Sequence, residues 1–132
     1  MPTAGRLLLD TNIVVGLING DAAVLSRVAA TDEVFVPSIV LGELYYGAFR
    51  SARASQNAAR VDALADGRAI LVTDRTTARH YEALKDQLRT KGRPIPENDL
   101  WIAAIAIQHD LTLATRDAHF AELDSLTIDD LT

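Results

Sequence analysis

Short apolar runs that stop abruptly, alternating with longer helical stretches, constrain this chain more than any other feature. Arg6-Leu7-Leu8-Leu9 halts at Asp10, Val34-Phe35-Val36 halts at Pro37, and Ala69 to Val72 and Leu111 to Thr115 form two further runs. Leu126 to Ile128 reads as a short fifth. Unbroken apolar runs of this length suit strands buried on both faces. Between them the spacing predicts helices over Ile13–Ile18, Ala22–Ala30, Pro37 or Ser38 to about Ala52, residues 54–66, Thr73 or Asp74 to about Thr90, and Asp99–His109. Such alternation argues for an α/β fold, a parallel sheet of about five strands flanked by helices, as a single domain over residues 1–132.

A chain of 132 residues is long enough to bury a core without covalent staples. It has no cysteine, which excludes a disulfide framework, thiolate zinc sites and cysteine nucleophiles. The longest unbroken apolar run, Leu100 to Ile107, is far short of the roughly eighteen residues of a membrane span. Met1 to Arg6 leads straight into an apolar block with no signal-peptide pattern, so the expectation is a cytoplasmic protein with no membrane partner. The net charge of −5 hides an asymmetry: residues 50–93 hold ten of the thirteen basic residues and five acids, and so carry +5 against −10 elsewhere. A basic segment set against acidic flanks suits nucleic acid only if the acids are gathered in a metal site with the basic face beside it.

In an open parallel sheet the functional crevice lies beyond the carboxyl ends of the strands. Asp10 directly follows the first strand, Asp117 the fourth, Glu43 lies about two turns into the helix after the second, and Asp99 opens the helix after Ile95-Pro96. This topology can gather all four at one end of the sheet. Clustered carboxylates repel one another unless a cation joins them, and hard oxygen donors suit Mg2+ or Mn2+. Taken singly, Asp10, Asp99 and Asp117 also read as helix caps or first-turn acids, and Glu43 as a solvent-facing residue. Gly42 and Gly47 flank Glu43 and each costs its helix about 1 kcal/mol, which suggests close approach of another helix or of substrate.

The strings Leu8-Leu9-Asp10-Thr11-Asn12, Val36-Pro37-Ser38-Ile39-Val40-Leu41-Gly42-Glu43-Leu44 with Gly47, Asn98-Asp99-Leu100-Trp101-Ile102-Ala103-Ala104 and Leu113-Ala114-Thr115-Arg116-Asp117 occur in one order. Together they resemble the PIN domain, most closely the VapC toxins of type II toxin–antitoxin pairs, from Leu7 to about Phe120. The resemblance implies a Mg2+-dependent endoribonuclease, Mn2+ being the alternative ion, that hydrolyses RNA and is inhibited by a cognate VapB-type antitoxin. It implies that Asp10, Glu43, Asp99 and Asp117 form the metal-binding quartet, with Asp10 and Asp99 the most direct ligands. Thr11, Asn12, Thr115 and Arg116 match the polar positions beside the acids. The resemblance further implies a homodimer using the region of Tyr45, Tyr46 and Phe49, a higher assembly with antitoxin, and a groove around residues 40–65 as the antitoxin's docking site.

Arg89, Lys91 and Arg93, leading into the loop before Asp99, are the cations best placed in sequence to meet an RNA backbone. Arg60, Arg68 and Arg79 read as solvated helix faces, and His80, His109 and His119 show no metal-ligand spacing. Two unrelated readings fare worse. A phospho-acceptor receiver needs a lysine near its last strands, and none follows the fourth strand here; a haloacid-dehalogenase-like phosphatase wants an aspartate where Asn12 stands. The rival from another class is a PIN-fold protein that binds RNA or a partner without cutting, and the presence of all four acids argues against it.

Overall fold

The computed structural model describes residues 5–132; the first four residues, part of the stretch read above as lacking a signal-peptide pattern, lie outside the described residues. The elements in chain order are β1 (Arg6–Leu9), α1 (Thr11–Asn19), α2 (Ala22–Ala29), β2 (Glu33–Pro37), α3 (Ser38–Phe49), α4 (Ala54–Ala65), β3 (Ala69–Leu71), α5 (Arg75–Lys91), α6 (Glu97–Gln108), β4 (Thr112–Ala114), a 3-10 turn over Ala118–Glu122, and β5 (Ile128–Asp129). The five strands form one parallel sheet in the order β3-β2-β1-β4-β5.

β1 lies at the centre because Leu7, Leu8 and Leu9 are apolar toward both faces, and all three are buried. Leu8 pairs with Phe35 on one side and Leu113 on the other. Right-handed crossovers from β1 through β2 to β3 put α1–α4 on one face of the sheet, and the long return from β3 to β4 puts α5 and α6 on the other. Packing agrees: α5 lies along α6, while α1 meets α2, α3 and α4. The apolar run at Leu100–Ile107 is the middle of α6, where Leu100, Ile102, Ala103, Ala104, Ile105 and Ala106 are all buried. A helix apolar all round has no stripe to orient it, and here it is enclosed on every side. Each fully buried Leu or Ile contributes about 1.5–3 kcal/mol through burial.

Boundaries differ from the sequence reading for local reasons. α3 ends at Phe49, not Ala52, because Ser51 turns back, its hydroxyl donating to the Ala48 carbonyl at 2.6 Å. α6 begins at Glu97, with Pro96 as its cap residue, so Asp99 stands inside the first turn and does not cap. The rigid Pro94-to-Pro96 turn ends in extended backbone ready to start a helix. β5 sits at Ile128–Asp129, beyond Leu126, which turns inward to the core instead. α5 is capped as expected by Asp74, whose carboxylate accepts from the Thr77 amide while the Thr77 hydroxyl accepts from the Asp74 amide, both at 3.0 Å. Gly92, at φ +69°, closes α5 in a left-handed conformation that glycine adopts freely.

Among the described residues no single helix is long and apolar enough to cross a membrane.

Candidate active site

Strand order reverses about β1, since β2 lies on one side and β4 on the other. The crevice expected of such a sheet therefore opens beyond the ends of β1 and β4. Asp10 sits at that point. Its amide donates to the Ala114 carbonyl at 3.0 Å, continuing the β1–β4 ladder by one residue. Its side chain is then surrounded: Oδ1 accepts from the Thr11 amide at 2.8 Å, and Oδ2 from the Thr115 hydroxyl at 2.7 Å and the Asn12 amide at 3.3 Å. Asp10 thus caps α1 and also faces the other acids. With 4% of its surface exposed, burial raises its pKa; the Thr115 and Thr11 hydrogen bonds oppose that rise and the charge of Asp117 adds to it.

Thr115 links two of the acids. It is 1% exposed, and its hydroxyl donates to Asp10 while accepting from the Asp117 amide at 3.0 Å. Asp117 in turn caps the 3-10 turn, its Oδ1 accepting from the His119 amide at 2.9 Å. Asn12 supports the same segment through its Oδ1, which accepts from the Arg116 amide at 3.2 Å.

Glu43 comes from α3 on the far side of Asp10. It does not face open solvent: it is half-buried, and its Oε1 accepts from the Thr11 hydroxyl at 3.1 Å. Burial raises its pKa, the Thr11 bond opposes this, and the charge of Asp10 raises it further. Asp99, from the first turn of α6, has a side chain 14% exposed and is pushed to about 6, first by burial and then by the charges of Asp10 and Asp117. The mutual repulsions Glu43–Asp10, Asp10–Asp99, Asp10–Asp117 and Asp99–Asp117 show that the four expected carboxylates converge on one place. Carboxyls held above their ordinary pKa by burial, and further by neighbouring carboxyls, are sites that a divalent cation relieves.

The tightest donor set differs from the quartet read in the sequence. Asp99, Asp117 and His119 each offer one ligand atom, and these atoms lie within 4.8 Å of one another. His119 Nδ1 is 3.1 Å from Asp117 Oδ1 and 3.4 Å from Asp99 Oδ2. Histidine spacing alone gave no signal for this, because the partners are acids. The signal that could have found it is the Asp117-x-His119 step at the start of a short helix, where the cap hydrogen bond draws residue 119 back over the aspartate.

Expected cations are placed elsewhere. Arg116 turns its guanidinium to Asp21 of the α1–α2 turn at 3.1 Å. Arg89 pairs with Asp86 at 2.9 Å, Lys91 donates to the Glu122 carbonyl at 2.7 Å and lies 3.5 Å from Asp124, and Arg93 lies 3.7 Å from Glu122. Each of the three loop cations therefore already has an acidic neighbour. No other helix approaches Gly42 or Gly47: among the described residues nothing stands within 4 Å of where their Cβ atoms would be. Gly47 instead lines an open cavity of about 390 Å3 with Thr11, Val15, Glu43, Leu44 and Arg60, so the cavity runs up to the acids. Arg60 is not merely solvated, because its guanidinium donates to Asn19 Oδ1 at 3.1 Å at the end of α1.

The PIN domain family profile matches residues 7–126. Ribonuclease VapC2 of Rickettsia felis is 34% identical over 114 residues, covering 83% of this chain and 85% of its own length. Ribonuclease VapC5 of Mycobacterium tuberculosis is 33% identical over 126 residues, covering 93% and 90%. The chain belongs to the VapC family of PIN-domain proteins. In solved structures of that family the fold recurs closely: a DNA-bound VapBC of Salmonella typhimurium superimposes with a TM-score of 0.88 at 28% identity, over 96% of this chain and 98% of that one. The VapC fold thus accounts for the carboxylates arriving from β1, α3, α6 and the segment after β4, one from each element bordering the crevice.

Proposed function

We propose that this VapC-family chain is the toxin of a type II toxin–antitoxin pair, a divalent-cation-dependent endoribonuclease that hydrolyses RNA phosphodiester bonds and is silenced by a VapB-type antitoxin. The observation that carries the reading is the convergence of Asp10, Glu43, Asp99 and Asp117 at the β1/β4 crevice, with three of them raised in pKa by burial and by one another. Solved VapBC complexes among its structural neighbours support a partner of the same kind.

The donor set fits a divalent ion: Asp99, Asp117 and His119 present ligand atoms within 4.8 Å of one another, and Asp10 and Glu43 border them. Mg2+ is the ion the oxygen-rich set first suggests, and Mn2+ the alternative. When bound, such an ion offsets negative charge on a phosphodiester and makes a coordinated water more acidic. The chain's own part is positional. Asp99 and Asp117 would hold the ion, and Thr115 fixes the spacing of Asp10 and Asp117 through one hydroxyl. Glu43, whose pKa burial raises, would be the carboxylate to take a proton from an attacking water. Asn12 and Thr11 keep these carboxylates oriented.

Arg89 and Arg93, with side chains 77% and 67% exposed, can exchange their acidic neighbours for phosphates, whereas Lys91 is tethered to the end of the 3-10 turn. Arg116 orders the crevice wall through Asp21. The apolar cavity beside Glu43 receives a segment of the antitoxin, whose basic side chains the acids attract. Exposed Tyr46 and Phe49 on α3 supply a homodimer contact, with a larger assembly formed on antitoxin binding. An RNA substrate fits a cytoplasmic location, and one continuous core among the described residues supports reading 1–132 as a single domain.

The test is cleavage of total cellular RNA by the antitoxin-free protein with Mg2+, with Mn2+ and with EDTA, beside Asp99→Asn. Discrete fragments that require metal and vanish in Asp99→Asn are the expected result. Absence of cleavage with either ion, or cleavage that survives in the variant, rejects the assignment.

A further inference from the structure

We propose that His119 is a direct nitrogen ligand of the divalent ion, and that it tilts the site from Mg2+ toward a first-row transition ion, Mn2+ being the one that also suits the oxygen donors. The inference rests on the metal-site reading above and adds a residue outside the acidic quartet.

Three observations carry it. The first is spacing. Ligand bonds of about 2.1 Å at right angles put adjacent donors about 3 Å apart. His119 Nδ1 stands 3.1 Å from Asp117 Oδ1 and 3.4 Å from Asp99 Oδ2, so the imidazole already occupies a place that a third ligand would take. The second is that this placement is imposed by the backbone. The Asp117 carboxylate accepts from the His119 amide at 2.9 Å, and the next residue, Phe120, is fully buried in the core. With its neighbours on both sides fixed, residue 119 is held over the acids. The third is access: the His119 side chain is 54% exposed, leaving room on the solvent side for water and for a phosphate.

Donor chemistry then sets the preference. Mg2+ demands oxygen ligands and retains its waters, so an imidazole adds little to its binding. First-row transition ions gain from a nitrogen donor, and the gain rises along the series from Mn2+. Two carboxylates and one imidazole therefore discriminate between ions that four carboxylates treat more alike. The competing account is that His119 is only a cationic neighbour of the two aspartates, displaced when an ion enters.

The experiment is titration of the metal-free full chain with Mn2+ and with Mg2+ by calorimetry, together with pulsed electron paramagnetic resonance of the Mn2+ complex, on the parent, His119→Ala, His119→Gln and Asp99→Asn. The expected result is nitrogen hyperfine coupling to Mn2+ in the parent that is lost in both His119 variants. Mn2+ affinity falls about tenfold or more in His119→Ala, while Mg2+ affinity changes by less than about threefold because a water takes the vacated place. Mn2+ binding abolished by Asp99→Asn but lacking nitrogen coupling in the parent overturns the His119 assignment alone. Coupling that persists in His119→Ala, or equal loss for both ions, overturns it as well. A parent chain that binds neither ion, or binds them as well with Asn at position 99, overturns the metal site itself.

Discussion

The Thr115 hydroxyl donates to Asp10 Oδ2 at 2.7 Å across 105 residues of chain, and the Thr115 hydroxyl oxygen accepts from the Asp117 amide at 3.0 Å. One buried hydroxyl thereby sets the distance between a carboxylate on β1 and a carboxylate beyond β4. Thr115→Val keeps the shape and removes both bonds. The expected outcome is a loss of about 1–3 kcal/mol in stability from the unpaired buried groups, with metal affinity lowered roughly tenfold. Thr115→Ser is expected to restore most of both. Thermal melts and Mn2+ titration check this, and a valine variant that binds metal as the parent does refutes the positioning role.

Charge crowding makes the metal-free protein sensitive to pH. Asp99 titrates near 6 in the folded chain against 3.8 ordinarily, so between these values the folded chain holds a proton that the unfolded chain has released. Raising the pH through that window therefore lowers stability. Asp10 and Glu43 are raised too and act in the same direction. With solvent screening allowed for, the Asp99 contribution is about 1 kcal/mol. Asp99→Asn is expected to melt roughly 3 °C higher than the parent at pH 7 without metal, and to flatten the rise in Tm toward pH 5. A variant that melts at or below the parent at pH 7 contradicts this.

Much of the architecture was legible because the apolar runs are short and unbroken: Leu7-Leu8-Leu9 could only be an inner strand, and Asp10 at its end marked the crevice. Asp10 and Asp117 stood out for the same reason, each coming just after a strand, while Glu43 and Asp99 stood out as acids on otherwise apolar helices. His119 was not, because its meaning depends on a carboxylate two residues away and on another brought from α6. The pairing of Arg89, Lys91 and Arg93 with Asp86, Glu122 and Asp124 was equally hidden, since two of those acids lie some thirty residues downstream. Of the two neighbours the α3 glycines suggested, another helix or substrate, no helix stands beside Gly47, and the space there is open.

That open space gives a direct test of the docking cavity. Gly47→Leu puts a side chain into the cavity, its Cβ having no described neighbour within 4 Å, and leucine favours a helix over glycine by roughly 0.8 kcal/mol. The variant is expected to be as stable as the parent or slightly more so, to keep its nuclease activity, and to lose antitoxin affinity by at least about tenfold, or 1.4 kcal/mol. Co-purification with antitoxin and a binding titration read this. Undiminished antitoxin binding moves the docking site elsewhere.

Phe120 anchors the turn that carries Asp117 and His119 and is fully buried. Phe120→Ala is expected to cost about 3–5 kcal/mol by leaving a cavity, measurable by urea denaturation. A cost below about 1 kcal/mol shows that the turn is held by its hydrogen bonds instead.

The order in which the chain is made has a consequence for a cell that makes it. Asp10 is synthesised well before its ladder partner Ala114 and its hydroxyl partner Thr115, which come more than a hundred residues later. Closing that loop is the entropic step that completes the crevice, and contacts of such sequence separation form slowly. A nascent or prematurely terminated chain ending before β4 has no Thr115, Asp117 or His119 to bring to Asp10. On the site proposed above, a chain that stops before β4 is expected to be inactive, because the crevice closes only when β4 pairs with β1.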